Sequence, residues 1–239
     1  MDQLSKTSIS IFDTLNTFQT EEIIIFMARV ESLYPKSNKF HNFDHAVDVL
    51  QFTHKLSTYL KLQKSTRKLL YVAAILHDID HPGTLQHHHK HLETHHANMA
   101  ANIIKESLPS ITTSEIEEIK SFILDTDIQR LPEFLLLEQK SLASLVIKCS
   151  DLNNYVQPLS IHLDCTNRLY EEMMNYVNEP QHQIPFIDSR IRPLFLELAK
   201  VTNNNIFSIT NLENNYKYWL SKLIERKAAS KLERPSKKF

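Results

Sequence analysis

Residues 71–83 read YVAAILHDIDHPG, an apolar run that stops abruptly at His77, Asp78, Asp80 and His81 before Pro82 and Gly83. Such a run should bury its helix and take the polar cluster inside with it, and buried charged groups need partners or a metal. Carboxylate oxygen beside imidazole nitrogen suits a borderline or hard divalent cation such as zinc, manganese or magnesium. Gly83 is also the one glycine in 239 residues. Hairpin turns with positive φ favour glycine, so a chain this poor in it is a poor candidate for all-β architecture. Long Leu/Ile/Ala/Glu/Lys stretches with 3.6-residue spacing point instead to an all-α fold, a compact multi-helix bundle.

Working outward, amphipathic stripes and breakers predict helices over Thr20–Leu33, Asp44–Leu60, Ser65 through Leu76 to the break at Pro82, Glu93–Ile104 and Thr113–Leu124. Further helices are predicted over Ser141–Leu152, Leu159–Val177, Arg190–Lys200 and Leu212–Ile224, with 178–185 as a Pro-bearing connector. No repeat or linker divides the chain, so one domain over 1–239 is expected, with the motifs inside about 20–225 and a basic, frayed tail at 226–239. A net charge of −1 gives no global reason to expect a nucleic-acid partner. No segment approaches 18 consecutive apolar residues and the N-terminus has no leader pattern, so membrane insertion and secretion are not expected. Two cysteines, Cys149 and Cys165, do not make a disulfide framework, and a reducing, cytoplasmic setting fits. Nothing in the sequence speaks to oligomeric state.

Two other segments carry chemistry. In FHNFDHAVDV, His41 and His45 are four apart, so on a helix they share one face. In LASLVIKCSDLNN, Asp151 ends an apolar stretch and sets a carboxylate at the edge of a buried helix. A histidine pair, a His-Asp dipeptide and a distant Asp, each at a helix end or start, can converge on one metal centre.

The combination HNFDHAVDVLQ, HDIDHPG, LETHH, DTDI and SDLNNYVQPL resembles the catalytic domain of the class I 3′,5′-cyclic-nucleotide phosphodiesterases, within the wider HD metal-hydrolase group; the matches run in family order from about residue 40 to 200. The resemblance implies an all-α fold of that type and hydrolysis of the 3′ ester of cyclic AMP or cyclic GMP to the 5′-monophosphate. It implies two divalent metal ions, zinc at a first site held by His45, His77, Asp78 and Asp151, and magnesium or manganese at a second site that shares Asp78. His41 matches the general acid that supplies the leaving oxygen's proton, and Glu93 the carboxylate that orients it. His81, Thr126 and Asp127 match positions near the metal waters, and Gln183, Phe186, Asn154 and Phe40 match the base pocket, where an amide bonds a purine edge and a ring stacks on its face.

The chain departs from the family pattern in several places. Phe40 stands for a usual tyrosine, Lys148 for a histidine, Leu131 for a histidine and Tyr155 for a proline. The segment after Gly83 is reduced to TLQHHHKHL, whose His87, His88, His89 and His91 match no family ligand and read as a solvated loop or an adventitious zinc site. The shortened loops keep open a degenerate protein that holds cyclic nucleotide without turnover; the intact ligands and His41 argue against it. Another HD-group phosphohydrolase acting on linear nucleotides is the third reading, opposed by Gln183, Phe186 and HNFDHAVDV.

Overall fold

The computed structural model describes residues 3–83, 92–173, 178–203, 207 and 209–232. Among these residues every regular element is helical: α1 (Gln3–Asp13), α2 (Thr20–Leu33), α3 (Phe43–Tyr59), α4 (Lys64–Leu76), α5 (Leu92–Ser107), α6 (Thr113–Leu124), α7 (Leu131–Leu136), α8 (Leu142–Asp151), α9 (Leu159–Met173), α10 (Pro180–Phe186), α11 (Arg192–Thr202) and α12 (Ile209–Leu232). The His87–His91 run lies outside the described residues. None of the helices is long and apolar enough to cross a membrane.

Helix α4 is the axis of the fold. All eight residues from Leu69 to Leu76 are buried, so its C-terminal half is covered on every side, as a helix apolar all round must be. Helices α3, α5, α6 and α8 provide the cover. The core continues from Ile9 and Phe12 of α1 to Leu212 and Trp219 of α12. Tyr34, itself buried, donates its hydroxyl to the Ile75 carbonyl at 3.1 Å and so satisfies a main-chain acceptor near the end of α4.

The ends of three helices are set with care. Asn42 caps α3, its side chain accepting the His45 N–H at 3.2 Å. Ser141 caps α8 in the same way through the Ser144 N–H. Helix α4 stops at Leu76, sooner than the break expected at Pro82. The chain there tightens into i→i+3 turns, with Ile79 N–H on the Leu76 carbonyl and His81 N–H on that of Asp78. Asp80 takes the left-handed conformation at φ 59°, which a short polar side chain tolerates, before Gly83 does so at φ 72°.

Other boundaries differ from the sequence reading for local reasons. Residues 178–185 hold helix α10 instead of a connector, because Pro180 sits in the first turn where a missing N–H costs nothing. Pro185 lies near its end, and a wider i→i+5 turn follows over Ile187–Ile191. The basic tail is helical to Leu232, since KAASKL is rich in good helix formers, and Arg226 pairs with Glu179 on the way. Helices α1 and α7 were not anticipated: α1 buries Ser5 and Ser8 ahead of Ile9, Ile11 and Phe12, and α7 is only six residues long.

Leu70→Ala, at a fully buried site of α4, is expected to lower unfolding stability by about 2–5 kcal/mol. Ile25→Ala, at a position 64% exposed, should stay within about 0.5 kcal/mol. Chemical denaturation of the two variants measures the difference, and similar losses would contradict the burial described.

Candidate active site

The start of α3, the end of α4 and the end of α8 meet, and each delivers ligand-type atoms to one point. His45 Nε2 lies 3.5 Å from Asp78 Oδ2 and 3.3 Å from Asp151 Oδ1. His77 Nε2 lies 3.1 Å from Asp78 Oδ2, 3.3 Å from Asp151 Oδ1 and 3.3 Å from His45 Nε2. His77 Nδ1 faces the Ala74 carbonyl at 2.9 Å and donates its proton there, which leaves Nε2 as a bare lone pair aimed at the cluster. His96, from α5, holds the same turn by donating from Nδ1 to the Ile79 carbonyl at 2.6 Å.

Four acceptors pointed at one spot repel unless positive charge sits among them. Burial disfavours a charged His77, yet the Asp78 and Asp151 carboxylates raise its pKa well above the usual imidazole value. Burial likewise opposes charge on both carboxylates, and the histidines overcome it, holding Asp78 well below the carboxylate range and Asp151 at about 2. A divalent cation meets the same demand better than a proton. Tetrahedral bonds of 2.0–2.1 Å put neighbouring ligand atoms about 3.3 Å apart, which the separations above match. Two imidazole nitrogens and two carboxylate oxygens can thus hold a metal ion.

A second group, His41, His81 and Glu172, is built otherwise. Glu172 of α9 accepts the main-chain N–H groups of Phe40 at 2.6 Å and His41 at 3.0 Å through Oε2, and meets His41 Nδ1 at 2.5 Å through Oε1. Burial works against a charged His41, but the Glu172 hydrogen bond, with the Asp78 charge behind it, raises its pKa. His81 stacks on His41, ring centres 3.9 Å apart and 20° from parallel. Burial and the neighbouring His41 charge push His81 down to about 3, so it stays neutral. Its Nδ1 lone pair already accepts the Gly83 N–H at 3.1 Å. That occupied lone pair makes the trio a proton-holding network and not a further metal site.

Over both groups opens a cavity of about 660 Å³, lined among others by His41, Asp78, Asp151, Asn154, Gln183 and Phe186. Residues 40–179 match the family described as 3′5′-cyclic nucleotide phosphodiesterase. The chain belongs to this family. The 3′,5′-cyclic-nucleotide phosphodiesterase 2 of Saccharomyces cerevisiae is 34% identical over 165 residues, 59% of this chain and 31% of that protein. The 3′,5′-cyclic-nucleotide phosphodiesterase regA of Dictyostelium discoideum is 24% identical over 278 residues, 87% of this chain and 35% of that protein. The chain therefore spans about a third of the length of these curated relatives. Among solved structures, the phosphodiesterase domain of the RhoPDE fusion protein from Salpingoeca rosetta superposes with a TM-score of 0.78 at 19% identity, covering 94% of this chain and 92% of that one. That of the Salpingoeca rosetta rhodopsin phosphodiesterase gives 0.81 at 18%, covering 97% and 91%. At that identity the likeness speaks to the fold, an all-α one.

Within this phosphodiesterase fold the other expected residues fall as follows. Phe40 lines the cavity, its ring centre 4.6 Å from that of His45 and 4.9 Å from that of His41. Thr126 lines it too, while its hydroxyl donates to the Ile123 carbonyl at 2.7 Å. Asp127 is not in the cavity wall; its carboxylate accepts the Gln129 N–H at 2.8 Å and caps the short turn Ile128–Arg130. Glu93 requires a correction: the carboxylate on His41 is Glu172, not Glu93. Glu93 stands in the first turn of α5 as a half-buried wall residue, its pKa raised by burial and then by Asp127, Asp78 and Asp151.

Three residues escaped the sequence reading of the site. Glu172 follows Asp151 by 21 positions inside LYEEM, where no motif marks it and only the fold brings it to His41. Asn38 is buried behind the histidines. Tyr155, which stands for a family proline, shares a hydrogen bond with Gln183 and meets Phe186 at a 46° tilt with ring centres 5.7 Å apart. Lys148, in place of a family histidine, donates to the Asp125 carbonyl at the end of α6 and lies 5.1 Å above the Phe134 ring.

In the metal-free protein the His41 pKa is expected to be raised from the ordinary imidazole value, and Glu172→Gln should bring it down. The sign follows because the variant removes the hydrogen-bonded charge that favours imidazolium and leaves the burial that opposes it. Histidine NMR titration reads this, and an unmoved His41 would mean that Glu172 does not hold its proton.

Proposed function

We propose that this chain hydrolyses the 3′ phosphoester of a 3′,5′-cyclic nucleotide, cyclic AMP or cyclic GMP, to the 5′-monophosphate. One observation carries the reading: two carboxylates of a metal-type ligand quartet, Asp78 and Asp151, and a carboxylate-held histidine share one cavity with a buried amide and an aromatic ring. The family to which the chain belongs supports it.

His45, His77, Asp78 and Asp151 would hold the first divalent ion, of the zinc type by its mixed nitrogen and oxygen donors. Asp78 would be shared with a second, magnesium or manganese, beside cavity-wall residues His81, Glu93 and Thr126, with Asp127 just outside the wall. When bound, such a pair supplies Lewis acidity and a nucleophile at neutral pH. The chain's own part is to place substrate and move a proton. His41 has Nδ1 committed to Glu172, so Nε2 is the ring atom left to protonate the departing 3′ oxygen. Its raised pKa favours the protonated ring, as an acid requires. Gln183, with Asn154 at the wall, would bond the base edge, and Phe186 and Phe40 would supply apolar faces to it. Residues 1–239 would serve as one catalytic domain, acting in the cytoplasm, where the buried thiols Cys149 and Cys165 stay reduced.

Purified protein with zinc and magnesium is expected to hydrolyse cyclic AMP, cyclic GMP or both, and to lose this on chelation. Asp78→Ala should bring turnover to background, and His41→Ala should lower kcat by about 10²–10⁴. Gln183→Ala should act on KM, raising it about fivefold, the equivalent of ~1 kcal/mol. Absence of hydrolysis of either cyclic nucleotide by the metal-loaded protein would end this reading.

A further inference from the structure

Asn38 lies outside every motif, yet it is buried between the two segments that carry the stacked histidines. Its Nδ2 donates to the His41 carbonyl at 2.9 Å and to the His81 carbonyl at 2.8 Å, joining main chain 40 residues apart. Its own backbone is held in turn: the N–H bonds the Pro35 carbonyl at 3.1 Å, and the carbonyl accepts from Asn42 Nδ2 at 3.0 Å. Gly83 closes against the same amide. A Cβ at residue 83 would fall 2.3 Å from Asn38 Oδ1 and 2.9 Å from its Cγ, inside any tolerable contact. From that place the Gly83 N–H reaches His81 Nδ1 at 3.1 Å.

The stack needs such a tether. A charged imidazole beside a neutral one gains no ion-pair attraction, and among the described residues His81 has no carboxylate at hydrogen-bond distance: Glu172 Oε1 is 4.0 Å from its Nδ1. Glu172 fixes His41 from one side through its main chain and Nδ1. The opposite anchor is the Asn38 amide, which spans both backbones, while Gly83 fixes the plane of the His81 ring.

We propose that Asn38 is a positioning residue for proton transfer: its amide clamps the backbones under His41 and His81, making His81 the fixed wall that aims the His41 ring. Gly83 is the place where the clamp tolerates no side chain. The inference rests on reading His41 as the proton donor. Because Glu172 remains in place when Asn38 is removed, the acid keeps its proton and loses its aim. The effect belongs in kcat, with the pH profile little changed, whereas Glu172→Gln moves the pH profile.

The test compares Asn38→Ala with wild type on cyclic AMP and on bis(p-nitrophenyl) phosphate, whose aryloxide leaves without a proton. Asn38→Ala should lower kcat for the cyclic nucleotide about 100-fold, with KM within about threefold, and cost less than about threefold on the aryl ester. Equal losses on both substrates, or none, overturn the proposal. Gly83→Ala pushes on the same amide and should mimic the loss. Because the clash vanishes once Asn38 is gone while the strain of a side chain at φ 72° remains, Gly83→Ala should cost less kcat in the Asn38→Ala background than in wild type; an equal cost in both backgrounds would contradict the clamp. Gly83→Ala also serves if Asn38→Ala does not fold. A readout apart from activity comes from the single glycine, which gives one backbone amide signal in glycine-labelled protein. Asn38→Ala should speed its hydrogen exchange at least about tenfold, as the loss of a structural hydrogen bond does, and abolish the ring NOE between His41 and His81. Persistence of both overturns the clamp even in an inactive protein. Failure of wild type to cleave either cyclic nucleotide would instead remove the functional reading and leave the NMR result to decide the clamp.

Discussion

Two imidazole nitrogens 3.3 Å apart, each about as close to carboxylate oxygens, cannot rest in a buried place without positive charge among them. The structure is arranged around that constraint. Helix α4 is buried along eight successive residues up to the point where His77 and Asp78 begin, so the cluster sits at the inner end of the most enclosed helix. Helices α3 and α8, both packed on α4, bring His45 at a start and Asp151 at an end. The core thus does more than stabilise. It holds three ends at fixed separations, and those separations make a cation the best occupant.

The proton-holding network next to it obeys a complementary logic. There, one carboxylate serves three donors, two of them main-chain N–H groups, and the leftover charge goes to His41. His81, deprived of a carboxylate partner and crowded by the His41 charge, stays neutral and gives its lone pair to Gly83. Two histidines in ring contact therefore differ in charge because their partners differ. That asymmetry arises from Glu172, which belongs to no histidine motif.

Much of the candidate site was legible in the sequence because its residues cluster at element ends beside apolar runs. YVAAIL announces burial, so the HDIDH that follows must be compensated inside the protein, and His45 and Asp151 sit at comparable junctions. The boundaries were less legible. The tight turn after Leu76, with Asp80 rather than a glycine taking the first left-handed conformation, depends on the His96 hydrogen bond to the Ile79 carbonyl from another helix. Helix α10 was obscured by its prolines, which mark a breaker in sequence and a tolerated first turn in the fold.

What the sequence determined alone was composition and periodicity: an all-α chain, the apolar stem of α4, the ligand types at its end, and one glycine beside them. Which carboxylate serves which histidine was decided only by tertiary structure. Glu93 sits in the LETHH motif and Glu172 in none, yet packing of α9 across the loop before α3 gives His41 to Glu172. A hydrogen bond is made by distance and direction in space, across 131 residues here, and spacing along a chain encodes neither. The same holds for Gly83: the sequence shows a lone glycine, and only the approach of Asn38 to within 2.3 Å of where its Cβ would be shows why no side chain fits.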